Sequence, residues 1–142
     1  MHERGVLQVF ASPARVCILA PSGEAATRLG EALALPNVPR WIPTADQITR
    51  EDDLILVMDW PRGNLAACAA ARARTTVPII ILSAAPSSSA TVRLLGAGAD
   101  LVLPRSVDPG ELQARIRALL RRQLTPSDAD VFHTLRLSDS SL

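Results

Sequence analysis

The stretch from Gly98 to Arg122 leaves a chain of this kind few ways to fold. Leu101-Val102-Leu103 is a short apolar run with a β-branched centre, bounded by Asp100 and Pro104, and is predicted to be a strand. Asp108-Pro109 then supplies an N-cap oxygen and a proline at the first helical position, where a missing N–H costs nothing. Leu112, Ile116, Leu119 and Leu120 recur at the helical period, with Arg115, Arg117, Arg121 and Arg122 largely off that stripe. A helix with one apolar face needs a flat surface to cover, and the preceding strand offers it.

The same alternation runs back along the chain. Val16–Ala20, Asp53–Asp59 and Val77–Leu82 are further apolar runs of strand length, nearly continuous as in parallel strands covered on both faces. Arg40-Trp41-Ile42, set among prolines, reads as a short strand near a sheet edge. Helices are expected over Glu24–Leu35 (Ala26, Leu29 and Leu33 inward), Leu65–Arg74, Ala90–Ala97 and from Pro109 to Arg122, with one or two turns over Thr44–Arg50. Five strands alternating with five helices predict an α/β fold, a doubly wound five-stranded parallel sheet of (βα)5 form. In such a sheet the functional crevice lies outside the carboxyl ends of the strands. Those ends are Ala20-Pro21-Ser22, Met58-Asp59, Ser83-Ala84 and Pro104-Arg105.

Composition excludes several chemistries. All fifteen Lys and Arg side chains are arginine, so no lysine can form a Schiff base or serve a phosphate loop. The only histidines, His2 and His133, lie near the ends, which removes core histidine metal sites and Ser-His or Cys-His triads. Cys17 and Cys68 fall in apolar runs and are expected to be buried, unpaired thiols. A net charge of +1 makes no bulk electrostatic case for nucleic acid or an anionic membrane. No catalytic residues are expected, and a cytoplasmic location without a membrane partner is the expectation.

With the strand ends lined up, the chain resembles the receiver domain of two-component response regulators, the flavodoxin/CheY-like fold, over about residues 14–122, which implies strand order 2-1-3-4-5. Gly98-Ala99-Asp100, together with Asp108-Pro109 running on to Arg122, is similar to the fifth strand and last helix of OmpR/PhoB-type regulators. Asp53–Val57 resembles the family's third strand and Ile79–Ala84 its fourth. Residues 1–13 stand outside as an N-terminal extension. Residues 123–142 read as a linker, and Leu135–Asp139 is similar to the opening of the winged-helix DNA-binding domain that follows such receivers.

The resemblance implies a phosphorylation site whose parts are mostly missing. In the family, two acids after the first strand and one after the third hold Mg²⁺, and the latter accepts the phosphoryl group. Here Ala20-Pro21-Ser22 stands in place of the acid pair. The acceptor falls on Met58 without gaps, or on Asp59 if the strand slips by one. Ser83 matches the switch hydroxyl, and Arg105 takes the place of the family's lysine. Asp59 either pairs with Arg105 across the pocket or is a solvated loop acid. The leading expectation is a degenerate receiver with no metal and no cofactor, Mg²⁺ entering only if Asp59 is a working acceptor.

The family's dimer face implies an interface of Arg93, Leu94, Asp100, Leu101, Glu111, Arg115 and Arg122, with Leu95 and Val102 beside it. A homodimer, DNA reached through a C-terminal domain, and a sensor histidine kinase are the implied partners. A phosphoreceiver using Asp59, and a flavodoxin-like module binding a small molecule or a partner at Pro21–Gly23 and Ser83–Ser89, are the alternatives.

Overall fold

A computed structural model describes residues 13–124. The strands are β1 (Val16–Leu19), β2 (Arg40–Ile42), β3 (Leu54–Met58), β4 (Ile79–Ser83) and β5 (Leu101–Pro104). The helices are α1 (Gly23–Leu33), α2 (Leu65–Arg72), α3 (Ser88–Gly96) and α4 (Pro109–Leu124). All strand pairings are parallel, as the alternation predicts, and the order is β2-β1-β3-β4-β5, as the resemblance implies.

Strand residues point to opposite faces in turn, and this sorts the core. Leu54, Leu56 and Met58 of β3 pack with Ile18, Ile80 and Leu82 under α1 and α4, against Leu29, Leu33, Leu112 and Ile116. Ile55 and Val57 turn the other way, joining Cys17, Leu19, Ile79 and Ile81 under α2 and α3, against Cys68, Ala71 and Leu94. A central strand covered on both sides has no room for alternation in polarity, which explains the unbroken apolar runs.

Caps set the helix boundaries. Ser22 Oγ accepts the Ala25 N–H of α1, and Ser87 Oγ accepts the Ala90 N–H of α3. Asp108 Oδ2 accepts the N–H groups of Gly110 and Glu111, so Asp108-Pro109 opens α4 as its composition implies. That helix runs two residues beyond Arg122, to Leu124.

The expected fifth helix is absent among the described residues. Between β2 and β3 the chain makes one 3-10 turn, Ala45–Gln47, and Ile48 is already extended. The buried Asp52 explains the shortfall. Its Oδ2 accepts the Thr49 N–H, the Thr49 hydroxyl and the Arg40 guanidinium. These bonds turn the chain inward where a longer helix would carry it past the sheet.

Candidate functional site

The carboxyl ends of β1, β3, β4 and β5 converge, and the residues there place the two readings of the acceptor. Met58 is fully buried among the α1 and α4 contacts and offers nothing to solvent. Asp59, one residue beyond the strand, is the acid at this edge, at φ +64°. Such a backbone is uncommon for a residue with a Cβ, though Asp adopts it more readily than most. Arg105 Nε donates to Asp59 Oδ1 at 2.9 Å, with both side chains about one-third exposed. Arg105 is held in turn by its own N–H, which donates to the Ser83 carbonyl at 2.7 Å. The structure therefore has the ion pair rather than the solvated acid.

The end of β1 is closed by two indoles that the sequence did not announce. Trp41 Nε1 donates to the Ala20 carbonyl at 2.8 Å, and Trp60 Nε1 to the Leu19 carbonyl at 3.3 Å. Trp41 reaches this position from β2 across Gly23, where an added Cβ would lie 2.9 Å from its ring. Trp60 is placed by the turn Trp60-Pro61-Arg62-Gly63, closed by the Gly63 N–H on the Trp60 carbonyl at 2.9 Å. Asn64 ties that turn down. Its Oδ1 accepts the Trp60 N–H, and its Nδ2 donates to the Leu82 carbonyl at 3.0 Å. Asn64 spends its side chain on this bridge, so it gives α2 no side-chain cap.

A hard divalent cation does not fit this arrangement. Mg²⁺ takes octahedral oxygen coordination with one or two carboxylates in its first shell. Ala20, Pro21 and Ser22 supply no carboxylate, two neighbouring carbonyls already accept indole N–H groups, and Asp59 faces a guanidinium. Among the described residues no three His, Cys, Asp or Glu side chains are grouped to hold a metal ion.

The structure moves Leu94 out of the expected interface and gives Asp100, which stays exposed, bonds within the chain. Leu94 is buried beneath α3, packed with the α2 side of the core, and cannot reach a partner. On a nine-residue helix adjacent leucines cannot both face out, and Leu95 is the exposed one, with Val92 one turn earlier. Asp100 is committed within the chain. Its Oδ2 accepts the Ile79 N–H at 2.8 Å and Arg72 Nη2 at 3.1 Å. Arg72, which sequence reasoning passed over, also donates to the carbonyls of Gly98, Thr75 and Val77. Gly98 has φ +119°, and a Cβ there would lie 2.5 Å from Arg72 Cγ. On α4, Glu111 and Arg115 are exposed and lie 3.6 Å apart. Arg93 and Arg122 are exposed, and Leu101 is half-buried against the core.

The two cysteines are buried and unpaired. Burial, with the Asp52 carboxylate adding to it, pushes the Cys17 thiol up to about 12, and burial raises Cys68 as well. Neither is a nucleophile at neutral pH. No helix among the described residues is long and apolar enough to cross a membrane.

No family profile matches the chain. The response regulator MprA of Mycobacterium bovis is 42% identical over 95 residues, which is 66% of this chain and 41% of MprA. The chain thus spans about two fifths of the length of the curated relatives it matches. Among solved structures, a two-component response regulator from Clostridium difficile superposes with a TM-score of 0.66 at 19% identity, covering 78% of this chain and 98% of that one. The response regulator DrrB, a Thermotoga maritima OmpR/PhoB homolog, gives a TM-score of 0.62 at 15% identity, covering 78% and 54%. At those identities the structural likeness speaks for the fold, and the MprA alignment for descent. The chain is a homologue of the response regulator MprA, and it folds as a CheY-like receiver domain.

Proposed function

We propose that this receiver is the regulatory domain of a DNA-binding transcriptional regulator of OmpR/PhoB type that works without phosphorylation of Asp59. One observation carries the reading: the end of β1, where the metal-binding acids would stand, is capped by Trp41 and Trp60, while Arg105 occupies Asp59. A carboxylate accepts a phosphoryl group only where charge on the transferred group is neutralised, chiefly by a metal. Here the acid is already paired and the metal ligands are missing. In this reading a sensor histidine kinase has no acceptor to address, the domain catalyses nothing, and DNA contact belongs to a winged-helix domain beyond it, in the cytoplasm.

Intact mass after incubation with Mg²⁺ and acetyl phosphate is the direct test. The unmodified mass is expected for the native chain and for Asp59→Ala. An adduct of one phosphoryl group on the native chain that vanishes in Asp59→Ala overturns the reading and makes Asp59 a working acceptor.

The output in this reading is a homodimer through the face of α3, β5 and α4, which corresponds to the family's dimer face. A two-fold interface needs a self-complementary patch with acids and bases on one surface. Glu111, Arg115 and Arg122 supply the charges, and the exposed Val92 and Leu95 an apolar centre. Asp100, exposed and paired with Arg72 within the chain, stands beside Glu111 as a second acid on this face. Arg115→Glu sets two carboxylates one helical turn apart and opposes the same patch on a second copy. Sedimentation velocity should show a dimer for the native chain and monomer for the variant. An identical profile for both sinks the interface.

A further inference from the structure

A cleft of about 430 Å³ opens between the turn after β3 and the loop after β4, over the start of α3. Its volume lies in the range of small-ligand sites, roughly 300–1,000 Å³. The walls are mainly apolar, with Trp60, Pro61, Leu65, Ala84 and Leu94 among them. Two guanidinium groups, Arg62 and Arg93, line it as well, and neither has an ion-pair partner among the described residues. Asp59 is the one acid on the wall, and Arg105 already neutralises it.

Ser83 gives the second, independent sign. The residue is only 8% exposed, yet its hydroxyl has no hydrogen-bond partner among the described residues. No fully enclosed side-chain nitrogen or oxygen lacks a partner, so this hydroxyl opens into the cleft it lines. A nearly buried donor left unsatisfied is costly unless something fills its bond.

We propose that the cleft is a noncovalent site for a small organic acid with an apolar body. Its carboxylate is held by Arg62, Arg93 and the Ser83 hydroxyl, and its body lies against Trp60, Leu65 and Leu94. Guanidinium groups suit a planar anion through paired N–H donors, and the apolar walls select against a bare ion. The site rests on the reading of Asp59 as ion-paired rather than phosphorylated. It gives that reading a signal, because Trp60 is both a wall of the cleft and a cap on β1.

The native 142-residue chain carries two tryptophans, so a Trp41→Phe background leaves Trp60 as the sole fluorophore. In that background the chain is titrated with phenylacetate, with the neutral 2-phenylethanol and with inorganic phosphate, without Mg²⁺ or phosphodonor. Phenylacetate is expected to give a saturable change in Trp60 emission, with 2-phenylethanol and phosphate each at least about tenfold weaker. Arg93→Gln should weaken phenylacetate about tenfold, and Arg50→Gln, away from the cleft, should leave it unchanged. No saturable change, equal affinity for the alcohol, equal affinity for phosphate, or indifference to Arg93→Gln each overturns the site. Because no phosphodonor is present, these outcomes are distinct from an adduct on Asp59, which would strike the reading beneath the proposal.

Discussion

Arg72→Ala is expected to cost about 3 kcal/mol of folding stability, a fall of about 2 M in the urea midpoint for a domain of this size. The guanidinium fork donates to three backbone carbonyls and one carboxylate, joining the end of α2 to the starts of β4 and β5. Each such bond to a charged donor is worth about 1.5–3 kcal/mol alone, but the four share one side chain and cannot be added. The larger part of the cost is what remains behind, because removing the arginine leaves its part-buried carbonyl acceptors without a donor. Arg72→Lys should recover less than half, since an ammonium cannot reproduce a planar fork. Arg74→Ala, two residues on, loses one exposed bond to the Asp46 carbonyl and should stay within about 0.5 kcal/mol of the native chain. A loss below about 1 kcal/mol for Arg72→Ala would show that the strand ends hold without this tie.

Asp52→Ala is expected to cost a similar amount, about 3 kcal/mol, for a different reason. Asp52 is 2% exposed, and its one oxygen gathers Arg40, the Thr49 N–H and the Thr49 hydroxyl. Arg40 is part-exposed and can turn to water, so its loss of partner is cheap. The Thr49 N–H and hydroxyl lose their acceptor at the same time, and with it the turn that leads into β3. Removing the other partner should be worse, because Arg40→Leu leaves a buried carboxylate without its cation. The double variant Asp52→Ala/Arg40→Leu should therefore be milder than the sum of the singles, by about 1–3 kcal/mol in a double-mutant cycle from urea unfolding. Strict additivity would mean that the pair is incidental and the Thr49 bonds do the holding.

These two hubs also mark where the sequence stopped being legible. The strands were readable because Leu54–Met58 and Ile79–Leu82 must be apolar on both faces. The caps were readable because Asp108-Pro109 is a local signal. Arg72 and Asp52 bind backbone groups, and a carbonyl at 75 or 98 has no signature in the residue type that carries it. The indole caps on β1 were hidden for the same reason: Leu19 and Ala20 accept through the main chain, from tryptophans 41 and 21 residues distant, at least one strand away. Asp59 and Arg105 could be foreseen as partners because both are charged side chains at the carboxyl edge of the sheet, at the ends of β3 and β5 with only β4 between them. Leu94 and Leu95 could not be told apart by period alone on so short a helix. The bond from Arg72 to the exposed Asp100 was likewise hidden, because an acid given an interface role by resemblance carries no mark of a partner 28 residues away.

The tryptophan caps have a consequence for descent. Ala20 is wholly enclosed among the apolar residues under the first and last helices, so an aspartate arriving there first would bury a carboxylate in that core. Removing Trp41 or Trp60 first would strip a β1 carbonyl of its donor and leave Gly23 or the Asn64 turn without the ring it is shaped around. A step towards an acidic pocket through Ala20, Trp41 or Trp60 is thus a loss, whereas Pro21 and Ser22 are exposed and could take a carboxylate without burying it. The rings over the strand end therefore narrow the route to an acidic pocket to the two positions just beyond β1, and leave other change free to act on what the covered pocket can recognise.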